Sequence, residues 1–429
     1  MKVDLERYLA ELEQLVNTDS GQGNPEGFKA VGDFFADRFS SMGWIVEKYD
    51  LRPQTGNCTV VKNREADHYD LMMIGHVDTV FYAGEALKRP FRRDETKCYG
   101  VGVIDMKQGC LSMLHILEAL PADVNEKLNI VAVFNPDEEI GSVYSKPISQ
   151  RYAKISDRVF VFEAGGSNGE VTVERKGQSA IAVTIKGRAG HAGYLFENDS
   201  LSAVTEAIYW INELNKFHSK ERGTSVNVGT IRAGEKRNVV AEVASVGWDI
   251  RYEQKEVSGE LEACVEELVK HAEDRGYTVE FDVRKTTPAL VPDERTMAYV
   301  ERMRAVAERM GRPLVLKKRG GLSDANHLAA CGPICIDSLG PTGDCDHRDR
   351  EYLEIDTIQP YTEFAYELIV DLARNKKGKR YAFSNGLQAG EFYSGDKVGG
   401  PSCRGAGTYE GLLRRSDGCA GHRQPQPTV

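Results

Sequence analysis

The sequence has no CxxC pair, and its nine cysteines, an odd number, follow no repeating spacing. A disulfide framework is therefore not expected in a chain of this size. Cys331 and Cys335, in AACGPICID, read as core thiols on a buried strand over 329–337. No apolar run approaches the length that spans a bilayer. The first twenty residues, MKVDLERYLAELEQLVNTDS, hold neither a signal-peptide apolar region nor a small-residue cleavage site. The expected compartment is the cytoplasm, with no membrane partner. Basic charge is not in excess either: 55 Lys and Arg stand against 65 Asp and Glu, a net charge of −10. Without a basic core or an aromatic platform, nucleic acid is not an expected partner.

The chain does have the means for a large core. Its 429 residues, 41% hydrophobic and 28% charged, suffice for two domains. Leu5, Tyr8, Leu9, Leu12 and Val16 recur at helical spacing. A polar segment over 20–27 precedes a helix over 28–42. From Leu71 onward, short apolar runs at 71–75, 130–134 and 159–162 alternate with helical patterns. That alternation predicts an α/β fold with a largely parallel sheet. Between the first two runs Asp105 follows a glycine-rich turn, placed to cap the helix in MKQGCLSMLHILEAL.

Near Glu174 the pattern changes. Strands are expected over 180–187, 225–232, 239–252 and 278–284, with helices over 200–217 and 259–275. The order βαββαβ is that of a ferredoxin-like unit, here a second domain inserted into the first. Past residue 285 helices over 295–310 and 358–374 restore the α/β character, with GPTGDCDHRDREYLEID as a turn-rich loop between them. The last stretch, 375–429, holds eleven glycines and nine Lys or Arg against four Asp or Glu, and reads as a disordered tail.

Three apolar runs end in potential ligands: His76 and Asp78 after the first, Glu138 and Glu139 after the second, Glu163 after the third. In open α/β sheets the ligand crevice lies beyond the carboxyl ends of the strands. Asp105 and His347 are further candidates for that crevice. In extended chain His76 and Asp78 share a face, so Asp78 can orient the imidazole and raise its basicity as a ligand. Any one of these residues alone would read as structural or solvated. Together His76, Asp105, Glu139, Glu163 and His347 form a mixed imidazole and carboxylate set that suits zinc, cobalt or manganese. With one carboxylate bridging, the set could hold two ions, leaving Glu138 free as a base.

The segments GHVDTV, YGVGVIDMKQG, NPDEEIGS, FEAGG with VERKG, GRAGHAG and GLSDANHLAACGPICIDSLGPTGDCDH together resemble the M20 di-zinc aminoacylase and carboxypeptidase family, nearest its glutamate carboxypeptidase-like branch. The resemblance covers roughly 1–374. It implies a zinc-dependent exopeptidase-like catalytic domain, over 1–173 and 285–374, and a lid over 174–284 that dimerises. It implies two zinc ions, the first on His76, Asp105 and Glu163 and the second on Asp105, Glu139 and His347. Glu138 would be the general base acting on a metal-bridging water, and Asp78 would orient His76. By the same resemblance His191 is the lid histidine that approaches the scissile carbonyl. Arg251 and Asn238 are lid residues that contact the substrate, and Gly320 and Gly321 line its pocket. The implied reaction is hydrolysis of an amide next to a carboxylate-bearing residue, in a small peptide or N-acyl amino acid. An acetylornithine or succinyl-diaminopimelate type of deacylase is the alternative within the class, and an inactive binding homologue the alternative outside it.

Two departures stand out. After GHAG the chain reads YLFENDS where a proline-containing stretch is usual, and Arg348, Asp349 and Arg350 follow His347 where a small hydroxyl residue is common. His68, His115, His218, His271 and His327 have no ligand-like setting and read as structural or solvent-exposed, and His422 falls in the tail.

Overall fold

The strand Leu71–His76 lies in the middle of a six-stranded sheet, buried at every position. Leu71 and Met73 pack into one apolar cluster while Met72 and Ile74 pack into another on the opposite face. Alternate residues of a strand point to opposite faces. A strand covered on both sides therefore reads as an unbroken apolar run. Ile130–Asn135 repeats the division, with Ala132 and Phe134 on one side and Val131 and Val133 on the other.

A computed structural model describes residues 1–376; the tail expected over 375–429 lies outside the described residues from 377 onward. The sheet runs Ile334–Ile336, Arg158–Val161, Leu71–His76, Ile130–Asn135, Asn57–Lys62, Ile45–Asp50. The first four strands are parallel, and the last two close one edge antiparallel. Helices Leu5–Asn17, Pro25–Ser41, Gln108–Glu118, Glu294–Arg309 and Ile358–Arg374 contribute to the larger cluster. Asp4 caps the first helix by accepting from the Arg7 N–H, and Asn24 caps the second through the Gly27 N–H. The expected apolar stripe of the first helix is corrected at its ends: Leu15 is buried, whereas Leu5 is exposed.

Glu11 ties three of these helices together. It accepts from Arg7 Nε at 3.0 Å, Arg38 Nη1 at 2.5 Å and His115 Nε2 at 2.7 Å. Burial works against the charge, but these bonds win and hold the carboxyl at about 2. The folded value lies below the ordinary 4.5, so the stabilisation is complete above that pH and is lost as pH falls toward 2. Glu11→Gln is expected to cost about 1 kcal/mol at pH 7 after solvent screening. Urea midpoints should show that difference closing as the pH is lowered from 5 to 2.

The segment between these halves builds an antiparallel sheet in the order Ser225–Ala233, Val243–Tyr252, Gly177–Lys186, Thr278–Thr287. Its strands are interrupted by helices Ala203–Asn215 and Glu256–Asp274. This is the βαββαβ order with a ferredoxin-like strand arrangement. Ile181, Val183 and Ile185 alternate inward, and Ala207, Trp210 and Leu214 meet them from one helix, Leu261, Val265 and Leu268 from the other. This core is separate from the two on either face of the main sheet. The chain is a mixed α/β protein with an inserted α+β unit.

Three local expectations are corrected. The strand expected to start at Val239 starts at Val243, because Val239 instead bridges to His191. In the segment 329–337 only Ile334–Ile336 is strand, so Cys335 is buried while Cys331, in the turn after the helix Asp324–Ala329, is half-buried. The turn-rich loop is a hairpin: Gly343 pairs with Leu353 and Asp344 with Tyr352. Among the described residues no helix is long and apolar enough to cross a membrane.

Candidate metal centre

Parallel register brings the ends of three strands to one edge. His76 is paired with Asn135, the last residue of its neighbour, and Glu138 and Glu139 follow in a short 3-10 turn. On the other side Glu163 lies two residues past Val161. Asp105 arrives from an irregular turn. There its backbone is extended (φ −119°, ψ 95°), and the regular helix begins at Gln108 with no side-chain cap. The expected capping role of Asp105 is thereby overturned: its carboxylate faces two histidines instead.

His76 Nε2 lies 3.0 Å from Asp105 Oδ1 and 3.8 Å from Glu163 Oε1. His347 Nε2 lies 3.1 Å from Asp105 Oδ2 and 3.4 Å from Glu139 Oε2. Asp105 thus offers one oxygen to each imidazole. His76, Asp105 and Glu139 each present a ligand atom within 4.8 Å of the others, and so do Asp105, Asp346 and His347. Asp346 is a carboxylate that the sequence reading passed over, although it immediately precedes His347. The donor set fits a divalent cation on its chemistry, borderline imidazole mixed with hard carboxylate. Glu139 Oε1 supports the fit, being buried without a hydrogen-bond partner.

The electrostatics of these side chains also call for positive charge. Burial pushes Glu163 up to about 8 and Glu138 well above the usual carboxylate range, and it raises Glu139 against the opposing bond to His347. Burial pulls Asp105 the same way, but bonds from His347 and His76 hold it well below. The same Asp105, together with Glu139, lifts His347 to about 11. A cation among these groups would favour every ionised carboxylate and every neutral imidazole.

Several groups hold the cluster in place. Asp78 faces His76 Nδ1, with its carbonyl at 3.2 Å and its carboxylate at 3.4 Å. Its two carboxylate oxygens accept the Glu138 N–H at 3.2 Å and the Glu139 N–H at 3.0 Å. Glu351, buried, accepts from the amides of Gly102, Ile104 and Asp105 at 2.9–3.2 Å, fixing the turn that carries Asp105. Nothing in the sequence assigns Glu351 this task, because backbone donors leave no trace in residue identity. His347 itself sits at the hairpin tip in the left-handed region (φ 61°).

Among the described residues, none of the hydrogen bonds made by the expected substrate residues reaches a cluster residue. His191 is exposed on the inserted unit, where its Nδ1 accepts from the Gly193 N–H at 3.1 Å. Asn238 is exposed and gives its carbonyl to the Ala192 N–H. A cleft of about 520 Å3 beside them is lined by Ala192, Leu195, Thr205, Lys236 and Arg237, and by none of the cluster residues. Arg251 is half-buried and holds Asp249 through both Nε at 2.7 Å and Nη2 at 3.1 Å. Gly320 and Gly321 are exposed, and Gly321 accepts from Arg175 Nη1 at 3.0 Å.

Residues 72–371 match peptidase family M20/M25/M40. Carboxypeptidase G2 of Pseudomonas sp. (strain RS-16) is 31% identical over 373 residues, which are 85% of this chain and 89% of that protein. Succinyl-diaminopimelate desuccinylase of Stenotrophomonas maltophilia (strain K279a) is 25% identical over 311 residues, 67% of this chain and 80% of that one. The crystal structure of aminopeptidase PepT from Bacillus cereus superposes with a TM-score of 0.67 at 21% identity, covering 86% of this chain and 99% of that one. The chain belongs to peptidase family M20/M25/M40 and is a metal-dependent hydrolytic enzyme of the peptidase and amidohydrolase kind.

Proposed function

We propose that this protein is a carboxypeptidase-like amidohydrolase that cleaves an amide next to a carboxylate-bearing residue, in a small peptide or an N-acyl amino acid. The observation that carries this reading is the likeness to carboxypeptidase G2 along 85% of the chain. The cluster supplies the chemistry. His76, Asp105 and Glu163 would hold one divalent ion and Asp105, Glu139 and His347 a second, with zinc the ion such donors suit and cobalt or manganese admissible. Such ions, when bound, supply Lewis acidity, which lowers the pKa of a water from about 16 toward 7.

Proton traffic falls to Glu138. It is the carboxylate of the turn left over from that ligand set, and its backbone is fixed by Asp78. It takes the proton of the attacking water and returns it to the departing amine nitrogen. Asp78 keeps the His76 ring turned with Nε2 toward Asp105. His191 accepts a hydrogen bond at Nδ1, so its neutral ring carries the proton on Nε2, free to donate to the carbonyl oxygen as charge builds there. The reading includes a homodimer in which the inserted unit over 174–284, which carries His191, serves as lid and dimerisation domain. Ile208, Tyr209 and Ile231, exposed on that unit, support a partner copy.

Arg251 would grip the substrate carboxylate, exchanging its present partner Asp249 for the ligand, with Asn238, Gly320 and Gly321 completing the pocket. A charge-assisted hydrogen bond of this sort contributes about 1.5–3 kcal/mol. Arg251→Ala is therefore expected to raise KM by about 10- to 100-fold with kcat changed far less. An equal fall in kcat would move Arg251 to a different task.

The desuccinylase relatives favour a second reading, removal of an acyl group from an amino acid. A panel of acyl-glutamates, folate-type conjugates, succinyl and acetyl amino acids and dipeptides, run on zinc-loaded protein, separates the two. Turnover of acyl-glutamates, folate-type conjugates or dipeptides supports the first reading; turnover confined to succinyl or acetyl diamino acids replaces it with the second.

A further inference from the structure

Behind the turn that carries Glu138 and Glu139 lies a buried polar knot centred on Asp324, the first residue of the helix Asp324–Ala329. Its carboxylate accepts from Asn135 Nδ2 at 2.6 Å, from Ser142 Oγ, and from His327 Nε2 at 2.8 Å. All four residues are buried. A buried carboxylate is costly unless its lone pairs are met, and here three donors meet them. Two of those donors belong to the segment 135–145. Asn135 ends its strand, and its Oδ1 accepts from the Asp137 N–H at 3.0 Å and from Ser145 Oγ at 2.8 Å. Ser142 sits in the left-handed region (φ 53°) directly after Gly141 (φ 86°). Glycine adopts that backbone freely, but a serine there is strained and persists only where its surroundings hold it.

The turn is thus pinned on two sides. In front, Asp78 takes the amides of Glu138 and Glu139. Behind, Asp324 takes the side chains of Asn135 and Ser142, which flank them in sequence. The chain returns to this point nearly 190 residues later, so the contact is long-range and belongs to the fold rather than to the turn itself.

We propose that Asp324 is a positioning residue that acts through Asn135 and Ser142 to set the turn bearing Glu138 and Glu139. The inference rests on the reading of Glu138 as the proton carrier. Placement errors near 1 Å cost about 10²-fold in rate, which sets the expected size of the effect.

Asp324→Asn turns one of the two acceptor oxygens into an N–H donor, so Asn135 Nδ2, Ser142 Oγ and His327 Nε2 can no longer all be met. The exchanged pair, Asn135→Asp with Asp324→Asn, restores one donor to one acceptor. For the best substrate of the panel, Asp324→Asn should lower kcat about 100-fold with KM within threefold. Hydrogen exchange at the amides of Gly141, Ser142 and Tyr144 should quicken at least tenfold, while those of Leu71–His76 stay protected. The exchanged pair should recover at least tenfold of the lost kcat and slow the exchange again. The proposal is overturned by kcat within threefold of the parent, by exchange that quickens equally across the central strands, or by an exchanged pair that recovers neither quantity. Should Asp324→Asn not yield folded protein, Ser142→Ala removes one contact from the turn's side; unchanged exchange at Gly141 and Tyr144 then overturns the proposal, and faster exchange supports it. Glu138→Gln is measured alongside: if it keeps turnover, the proton-carrier reading falls, yet the exchange data still decide what Asp324 does, since they need no catalysis.

Discussion

Glu138→Gln is expected to lower kcat by about 10²–10⁴-fold, the contribution a positioned general acid–base makes, while metal content stays at the parent level. The substitution keeps the shape of the side chain and removes its ability to take a proton. Metal content is the discriminating measurement, because Glu138 and Glu139 are adjacent and a ligand error would look like a base error in activity alone. Glu139 Oε2 faces His347 at 3.4 Å, so Glu139→Gln should reduce metal uptake as well as rate. Burial raises the proton affinity of Glu138 well above that of an ordinary carboxylate, which suits a group that must hold a proton between two steps. A Glu138→Gln enzyme within tenfold of the parent would end the assignment. So would one that had lost its metal, which would make Glu138 a ligand.

Much of this site was legible because its residues are attached to the most regular part of the fold. The runs at 71–75 and 130–134 stand out since both faces of those strands are buried, and a residue placed just past such a run must emerge at the sheet's carboxyl edge. The inserted unit was legible for the opposite reason: strand Gly177–Lys186 buries alternate residues, as a sheet covered on one face does. What misled was tertiary context. Asp105 before a helix looks like a cap, but its backbone is extended there and its carboxylate faces two histidines instead. Gly340–Asp344, sequence GPTGD, has little intrinsic preference for a strand, and pairing with its neighbours overrides that. The grip of Asp78 on two amides and the link from Asp324 to Ser142 were invisible, one because amides are the same in every residue, the other because it spans 182 positions.

Stripping the metal with a chelator is expected to abolish hydrolysis and lower the melting temperature, with zinc or cobalt restoring both. Any ion that binds the folded chain alone stabilises it by mass action, about 4 kcal/mol at a thousandfold excess over Kd. Reloading near pH 7 should also release protons. His347, raised to about 11, and Glu163, raised to about 8, hold protons at that pH as free groups and must lose them to bind a cation. Titration calorimetry in buffers of different ionisation enthalpy reads that release directly. Asp105 is the residue whose loss should matter most, since its two oxygens face two imidazoles, one for each of the proposed ions. Asp105→Ala should therefore remove the metal-dependent rise in melting temperature, with activity falling to the metal-stripped level. Replacing Glu163 or His347 touches one side of the cluster and should leave part of the rise in place. If Asp105→Ala instead keeps the full rise, the bridging arrangement is wrong, and metal must be held without a shared ligand, by His76 with Glu163 and by Glu139 with His347.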